Sequence, residues 1–228
     1  MTVLKAFSFL IPMLLIFTGC GPYYRTVISM EPVKTGAYAV NSAEMACSVE
    51  KEGVKITLVF EKRKNLEAVS QQSSWNPYLN EQKLFFYVFK FTVENDGQNK
   101  IFIDTGKTVL LDGLGGQLNA LSLDYFRALY PVTTILEQNT RFRGDAYFDK
   151  TVIYTDDYYR LNKAEKTLFV NGELYPGVKR EGYIVFEQVK QGAGKITVHL
   201  SGITLKEGAK PEEIRFEYLH NVSIKEVK

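Results

Sequence analysis

The chain has 228 residues, 45% of them apolar and 24% charged, with a net charge of +2, which is ordinary globular composition for one large β domain or two small ones. Near-neutrality excludes the electrostatic footprint of a nucleic-acid binder, which needs a basic face and a high domain pI. The 14 Tyr and 15 Phe favour pleated, half-buried surfaces and tilt the class toward β.

Residues 1–19 read as a signal peptide. Lys5 and the amino terminus make a short positive segment, and the apolar run at 6–17 is 12 residues long. A spanning helix takes about 20 residues, and Pro12 interrupts this one. The run is too short to cross a bilayer permanently and has the proportions of a secretory h-region. It ends in Phe17-Thr18-Gly19-Cys20. That ending resembles the lipobox of bacterial lipoproteins, Leu-Ala/Ser/Thr-Gly/Ala-Cys, with Phe17 where an aliphatic residue is usual. The resemblance implies cleavage before Cys20, diacylglycerol on its sulfur and commonly an N-acyl chain such as palmitate. Several chains are what make such attachment last, since each buried methylene contributes about 0.8 kcal/mol and one chain holds only marginally. It also implies location in the cell envelope, at the outer membrane where the source has two membranes, because Gly21 rather than Asp follows the cysteine. An ordinary secretory signal with a chance cysteine is the competing reading. With Cys20 acylated, Cys47 has no partner for an internal disulfide. Cys47 shares strand parity with Met45 and Val49, which suits a buried, inert thiol rather than a nucleophile.

Residues 20–43 mix Pro, Gly and polar side chains without a period and read as a lipidated N-terminus and tether, with an early strand near 38–40. The folded domain is expected over 44–228. Strands at 45–49 and 54–61 flank Lys51-Glu52-Gly53, a hairpin with Gly where positive φ is needed. Val54, Ile56, Leu58 and Phe60 alternate with Lys55, Thr57, Val59 and Glu61, a period of two with one buried face. Residues 62–83 are polar and read as a loop with one helical turn near 66–69. Residues 84–93 are apolar on both parities, as in a central strand covered on both sides. A turn cluster at 95–99 leads to strands at 101–103 and 108–111.

An irregular insertion fills about 120–180. In it Ser122 caps a short helix that Pro131 stops, and strands are expected at 147–154 and 167–175. The second of these folds at Asn171-Gly172, a hairpin signal. Strands at 182–189, 195–205 and 214–222 close the chain. The long apolar strand ending at Asn95-Asp96-Gly97, the strand ending in Leu111-Asp112, and Pro176-Gly177 followed by Gly182-Tyr183-Ile184-Val185-Phe186 together resemble an immunoglobulin-like sandwich. Many bacterial extracytoplasmic lipoproteins of unassigned role carry that module. The resemblance covers about half the mature chain and implies a mainly β, antiparallel immunoglobulin-like sandwich, without catalytic residues.

No catalytic constellation stands out. Gly-x-Ser-x-Gly is absent. The two histidines, His199 and His220, lack the close spacing of a zinc motif, and no metal or cofactor is expected. His199 is out of phase with the apolar residues around it and faces solvent, whereas His220 follows the parity of Phe216 and Tyr218. Asp156-Asp157 are neighbours that a strand would point to opposite sides, so solvated loop acids are the simpler reading. Asp112-Gly113-Leu114-Gly115-Gly116 is a turn, with no Lys and helix behind it to make a P-loop. The candidate partner surface is Tyr147, Tyr154, Tyr158, Tyr159 and Arg160, near Phe148, Arg141 and Arg143, since Tyr and Arg are enriched at binding hot spots. The simpler reading of the same rings is that they cover the outer face of the strand at 84–93. Two functions follow: a non-enzymatic envelope module contacting protein or glycan, or an envelope hydrolase assembled from scattered acids and histidines.

Overall fold

A computed structural model describes residues 23–70, 72–79, 86–132, 134–138, 150–189 and 194–227. The elements in chain order are β1 (Tyr23–Pro32), β2 (Ala39–Asn41), β3 (Ala46–Lys51), β4 (Val54–Phe60), α1 (Arg63–Glu67), β5 (Phe86–Asn95), β6 (Ile101–Ile103), β7 (Val109–Asp112), β8 (Gln117–Asn119), α2 (Leu123–Leu129), β9 (Thr134–Gln138), β10 (Lys150–Tyr154), α3 (Asp156–Thr167), β11 (Gly172–Leu174), β12 (Val178–Glu187), β13 (Lys195–Thr204) and β14 (Glu212–Val227). The chain is mainly β, and its strand pairings are antiparallel. One large sheet has the order β12-β5-β4-β3-β2; a second runs β1-β14-β13-β6-β11, with β7 and β8 continuing beside β13; β9 and β10 pair as a separate two-stranded sheet. The two large sheets enclose one core and form a sandwich.

The alternation read at 54–60 is real: Val54, Ile56, Leu58 and Phe60 are buried while Lys55 is exposed. At the β3–β4 hairpin, Glu52 and Gly53 both have positive φ, the two-residue turn whose twist suits paired strands. A Cβ on Gly53 would lie 2.9 Å from the backbone of Gly97, so this turn and the turn after β5 pack main chain to main chain.

The two apolar parities of β5 go to different places. Tyr87, Phe89, Phe91 and Val93 join the core between the sheets. Phe86 and Val88 enter a second core with Leu66, Tyr78, Leu79, Phe126, Tyr130, Ala164 and Val185. That second core belongs to an outer layer of α1, α2, α3 and the segment around the 3-10 turn Ser73–Trp75. Ser122 does cap α2, its hydroxyl accepting from the Tyr125 amide at 3.3 Å.

Three expectations need correction. Residues 23–32, read within a tether, hold β1, which pairs with β14 from Tyr23 opposite Val227 to Pro32 opposite Tyr218, whereas the early strand expected near 38–40 is present as β2. The Asn171-Gly172 hairpin and the strand at 167–175 do not form. Instead α3 runs to Thr167, Leu168 bridges to Tyr183, and β11 pairs with β6. The Asn171 carboxamide oxygen accepts from the amide and hydroxyl of Thr105, at 2.9 and 2.7 Å, so this Asn-Gly pair ties two loops rather than folding one strand back. Finally, the 156–167 part of the insertion is regular, a twelve-residue helix. A Cβ on Gly182 would collide with the Phe169 backbone, which is why the chain leaving α3 can lie directly against β12.

β14 outreaches β13. Lys195 of β13 stands opposite Leu219, and the His220 amide still donates to the Gly194 carbonyl at 2.7 Å; beyond these, residues 221–227 pair with β1 alone among the described residues. At about 3.4 Å per residue this two-stranded ribbon is roughly 25 Å long. Its base is buried at Met30 and His220, while Asn221, Val222 and Ser223 are exposed.

Polar clasps join the sheets at the same end. The Tyr218 hydroxyl donates to the Leu58 carbonyl at 3.1 Å, and the Tyr87 hydroxyl pairs with His220 Nε2 at 2.9 Å. The Tyr218 ring lies 5.4 Å from that of Phe89. Cys47 is fully buried beside Tyr218, and burial pushes its thiol up to about 11, as expected for an inert thiol.

Two predictions test this arrangement. Phe126, fully buried against Tyr78, Phe86 and Tyr130, anchors the outer layer. Phe126→Ala should lower unfolding free energy by about 3–5 kcal/mol in urea titrations; a loss well under 1 kcal/mol would mean the layer is not part of the cooperative fold. Burial holds the His220 imidazole below its ordinary 6.5. The unfolded chain therefore takes up this proton first as pH falls, so the contribution to stability is full above the unfolded value and fades below it. In His220→Gln the loss of stability between about pH 7.5 and pH 5.5 should be smaller than in the parent chain. Equal losses would remove His220 from the account.

Candidate functional site

The insertion residues singled out in the sequence separate in the structure. Tyr147, with Phe148, Arg141 and Arg143, lies outside the described residues. Tyr154 ends β10, opposite Thr134. Tyr158, Tyr159 and Arg160 come together on the first turns of α3. Thr155 is the helix N-cap residue, and Asp156 and Asp157 occupy the first turn, where carboxylates complement the helix dipole. They are therefore helix-start acids and not strand neighbours. The Thr155 hydroxyl makes no capping bond and is buried without a hydrogen-bond partner.

The rest of α3 follows from its period. Leu161, Ala164 and the C-cap Leu168 face the outer core, and Tyr159, Asn162, Lys163 and Lys166 share another face. Against that second face lies the 3-10 turn. The Trp75 indole stacks on the Tyr159 ring with centroids 4.1 Å apart and planes 18° apart. Its N–H donates to Asp156 Oδ1 at 3.0 Å. Arg160 Nε donates to the Ser74 carbonyl, its guanidinium also reaches Asp157 at 3.4 Å, and it sits 5.5 Å from the Tyr130 ring centroid. Burial pushes the Tyr130 hydroxyl up to about 12, with Arg160 acting against it; that hydroxyl donates to the Pro77 carbonyl at 2.7 Å. Tyr159 and Arg160 thus fasten α3 to residues 74–77.

What this docking leaves open is a cleft of about 410 Å³ lined by Ala68, Val69, Ser70, Trp75, Tyr159, Asn162, Lys163 and Lys166. It is of small-ligand size, within roughly 300–1,000 Å³. It combines two aromatic rings, a hydroxyl, an amide and two ammonium groups. The neighbouring carboxylates are engaged: Asp156 with Trp75, Asp157 with Arg160, Glu67 with Arg63 and Glu165 with Arg127. Lys163 and Lys166 form no ion pair among the described residues, so the cleft carries uncompensated positive charge. Sequence reading passed over Trp75, Asn162, Lys163 and Lys166. The usable signals were the single Trp and the helical spacing that puts Tyr159, Asn162, Lys163 and Lys166 on one face.

The histidines lie elsewhere. His199 is mostly covered, not solvent-facing as expected. Its Nε2 stands 3.8 Å from Glu213 Oε2, too far for a hydrogen bond, and it has no other partner among the described residues. His220 faces inward as its parity implied, and its close partner is the Tyr87 hydroxyl rather than a carboxylate. His199 is opposite Arg215 and His220 lies beyond Leu219 on the same pair of strands, about 16 Å apart along the sheet. No group of three or more acidic, His or Cys side chains suited to a metal occurs among the described residues. Residues 112–116 form the β7–β8 turn, with Asp112 accepting from the amides of Leu114 and Gly116 at 2.9 and 2.6 Å. Among the described residues no helix is long and apolar enough to cross a membrane.

Comparison of the chain with family models, with curated proteins and with solved structures found no match in any of the three.

Proposed function

We propose that this chain is a lipid-anchored cell-envelope protein, held on a membrane through Cys20, whose immunoglobulin-like sandwich acts as a non-enzymatic binding or assembly module. The observation that carries this reading is the run of 12 apolar residues ending at Gly19-Cys20, too short to span and placed as an acylation signal. β1 begins only three positions after that cysteine. Two antiparallel sheets around one core, with β12 beside β5, support the immunoglobulin-like reading. The mechanism is confinement: a domain held at the membrane surface meets membrane-associated partners, protein or glycan, at raised effective concentration. Among the described residues neither His199 nor His220 has a carboxylate within hydrogen-bonding reach, which takes from the hydrolase alternative its two histidine candidates.

Cys20→Ala should move the protein from the detergent-soluble membrane fraction to the soluble fraction. Mass spectrometry of the mature parent protein should show a start at an acylated Cys20. Unchanged membrane association in the variant, or an intact leader in the parent, would overturn the anchor.

A further inference from the structure

We infer that the cleft between α3 and the 73–75 turn is a binding site for an anionic saccharide, with Trp75 and Tyr159 as the platform and Lys163 and Lys166 as the charge-recognising pair. The inference deepens the binding-module reading by naming a ligand class. It does not depend on the anchor, since the site lies wholly on the described part of the domain.

A purely apolar ligand would leave two ammonium groups, an amide and a hydroxyl facing it without partners, and unmatched polar groups cost binding free energy. A bare inorganic anion would be met by the lysines alone and would leave the Trp75–Tyr159 wall unused. Trp75 and Tyr159 cover each other's facing surfaces, so a sugar ring, with its apolar C–H face and rim of hydroxyls, would lie on an outer side of the stacked pair while its rim meets Ser70 and Asn162. A carboxylate or phosphate on that ring would match the uncompensated charge. Lysine is a compact, mobile point charge, suited to an anion whose position varies between sugars. The rings are pre-positioned: Trp75 is held from its edge by Asp156 and on one face by Tyr159. Binding therefore loses little side-chain freedom at the platform.

Trp75 is the chain's single tryptophan, so its emission reports this cleft directly. The test uses the full chain in detergent and three probes: digalacturonic acid, its dimethyl ester and inorganic phosphate. The expected result is a saturable change in Trp emission with digalacturonic acid, at least tenfold weaker with the ester and with phosphate alone. Lys163→Gln combined with Lys166→Gln should weaken the acid's binding at least tenfold. In the parent chain, binding should also weaken as salt is raised, because the charges are partly exposed. No saturable change with the acid would overturn the site. Equal binding of ester and acid, salt-insensitive binding, or an unaffected double variant would overturn the role of the lysines, and phosphate binding as tightly as the acid would overturn the saccharide. In Cys20→Ala the emission change should be the same as in the parent, so failure of the anchor and failure of the cleft are read separately.

Discussion

The strand β5 is apolar on both faces, and the rest of the architecture answers that constraint. A strand with one apolar face is content at the surface of a sandwich; one with two must be covered twice. Tyr87, Phe89, Phe91 and Val93 are covered by the opposite sheet. Phe86 and Val88 sit on the far side, where a two-layer sandwich would have water. The long excursions before and after β5 supply the missing cover: Leu66, Tyr78 and Leu79 from one, Phe126, Tyr130 and Ala164 from the other. The insertion is thus a third layer built to satisfy one strand.

The candidate site is a by-product of how that layer is fastened. A helix laid on a sheet needs anchors at its ends as well as an apolar stripe. α3 uses Tyr159 on Trp75, Arg160 on Ser74, and Thr167, whose hydroxyl meets that of Tyr78 at 2.6 Å. These contacts concentrate aromatic and polar groups along one seam. Where α1 ends and the 3-10 turn begins, the seam does not close, and the cleft opens there. The rings are therefore rigid for structural reasons before any ligand arrives, and rigidity is what a recognition platform requires.

Much of the sandwich was legible in local pattern. The alternation of β4, the positive-φ turn at Glu52-Gly53, the doubly apolar β5 and the Ser122 cap each depend on residues within a few positions of one another. What escaped depended on distant partners or on competing signals. β1 has no period of its own and is a strand because β14, about 190 positions later, pairs with it. In α3, Thr155-Asp156-Asp157 is a helix-start signal, but Tyr158 and Tyr159 right after it are strand formers by propensity, so the local signals conflict. Asn171-Gly172 has the composition of a hairpin turn, yet the Asn side chain is engaged by Thr105 across a loop. The cleft's lysines were invisible because one helix face is defined only once the helix is recognised.

The pairing of β1 with β14 also changes what anchoring would mean mechanically. A flexible tether of two dozen residues would let the domain sample every orientation over a wide radius. With β1 starting at Tyr23, only Gly21 and Pro22 separate it from Cys20, a reach of about 10 Å at full extension. The distance between an acyl chain at Cys20 and the sandwich would then be set by the paired ribbon, roughly 25 Å at the rise of a strand. A paired ribbon resists bending far better than a single strand, because its two backbones share a ladder of hydrogen bonds. Under the proposed anchoring, the domain would stand off the membrane at a nearly fixed height and present a restricted set of faces, the condition under which confinement raises effective concentration most.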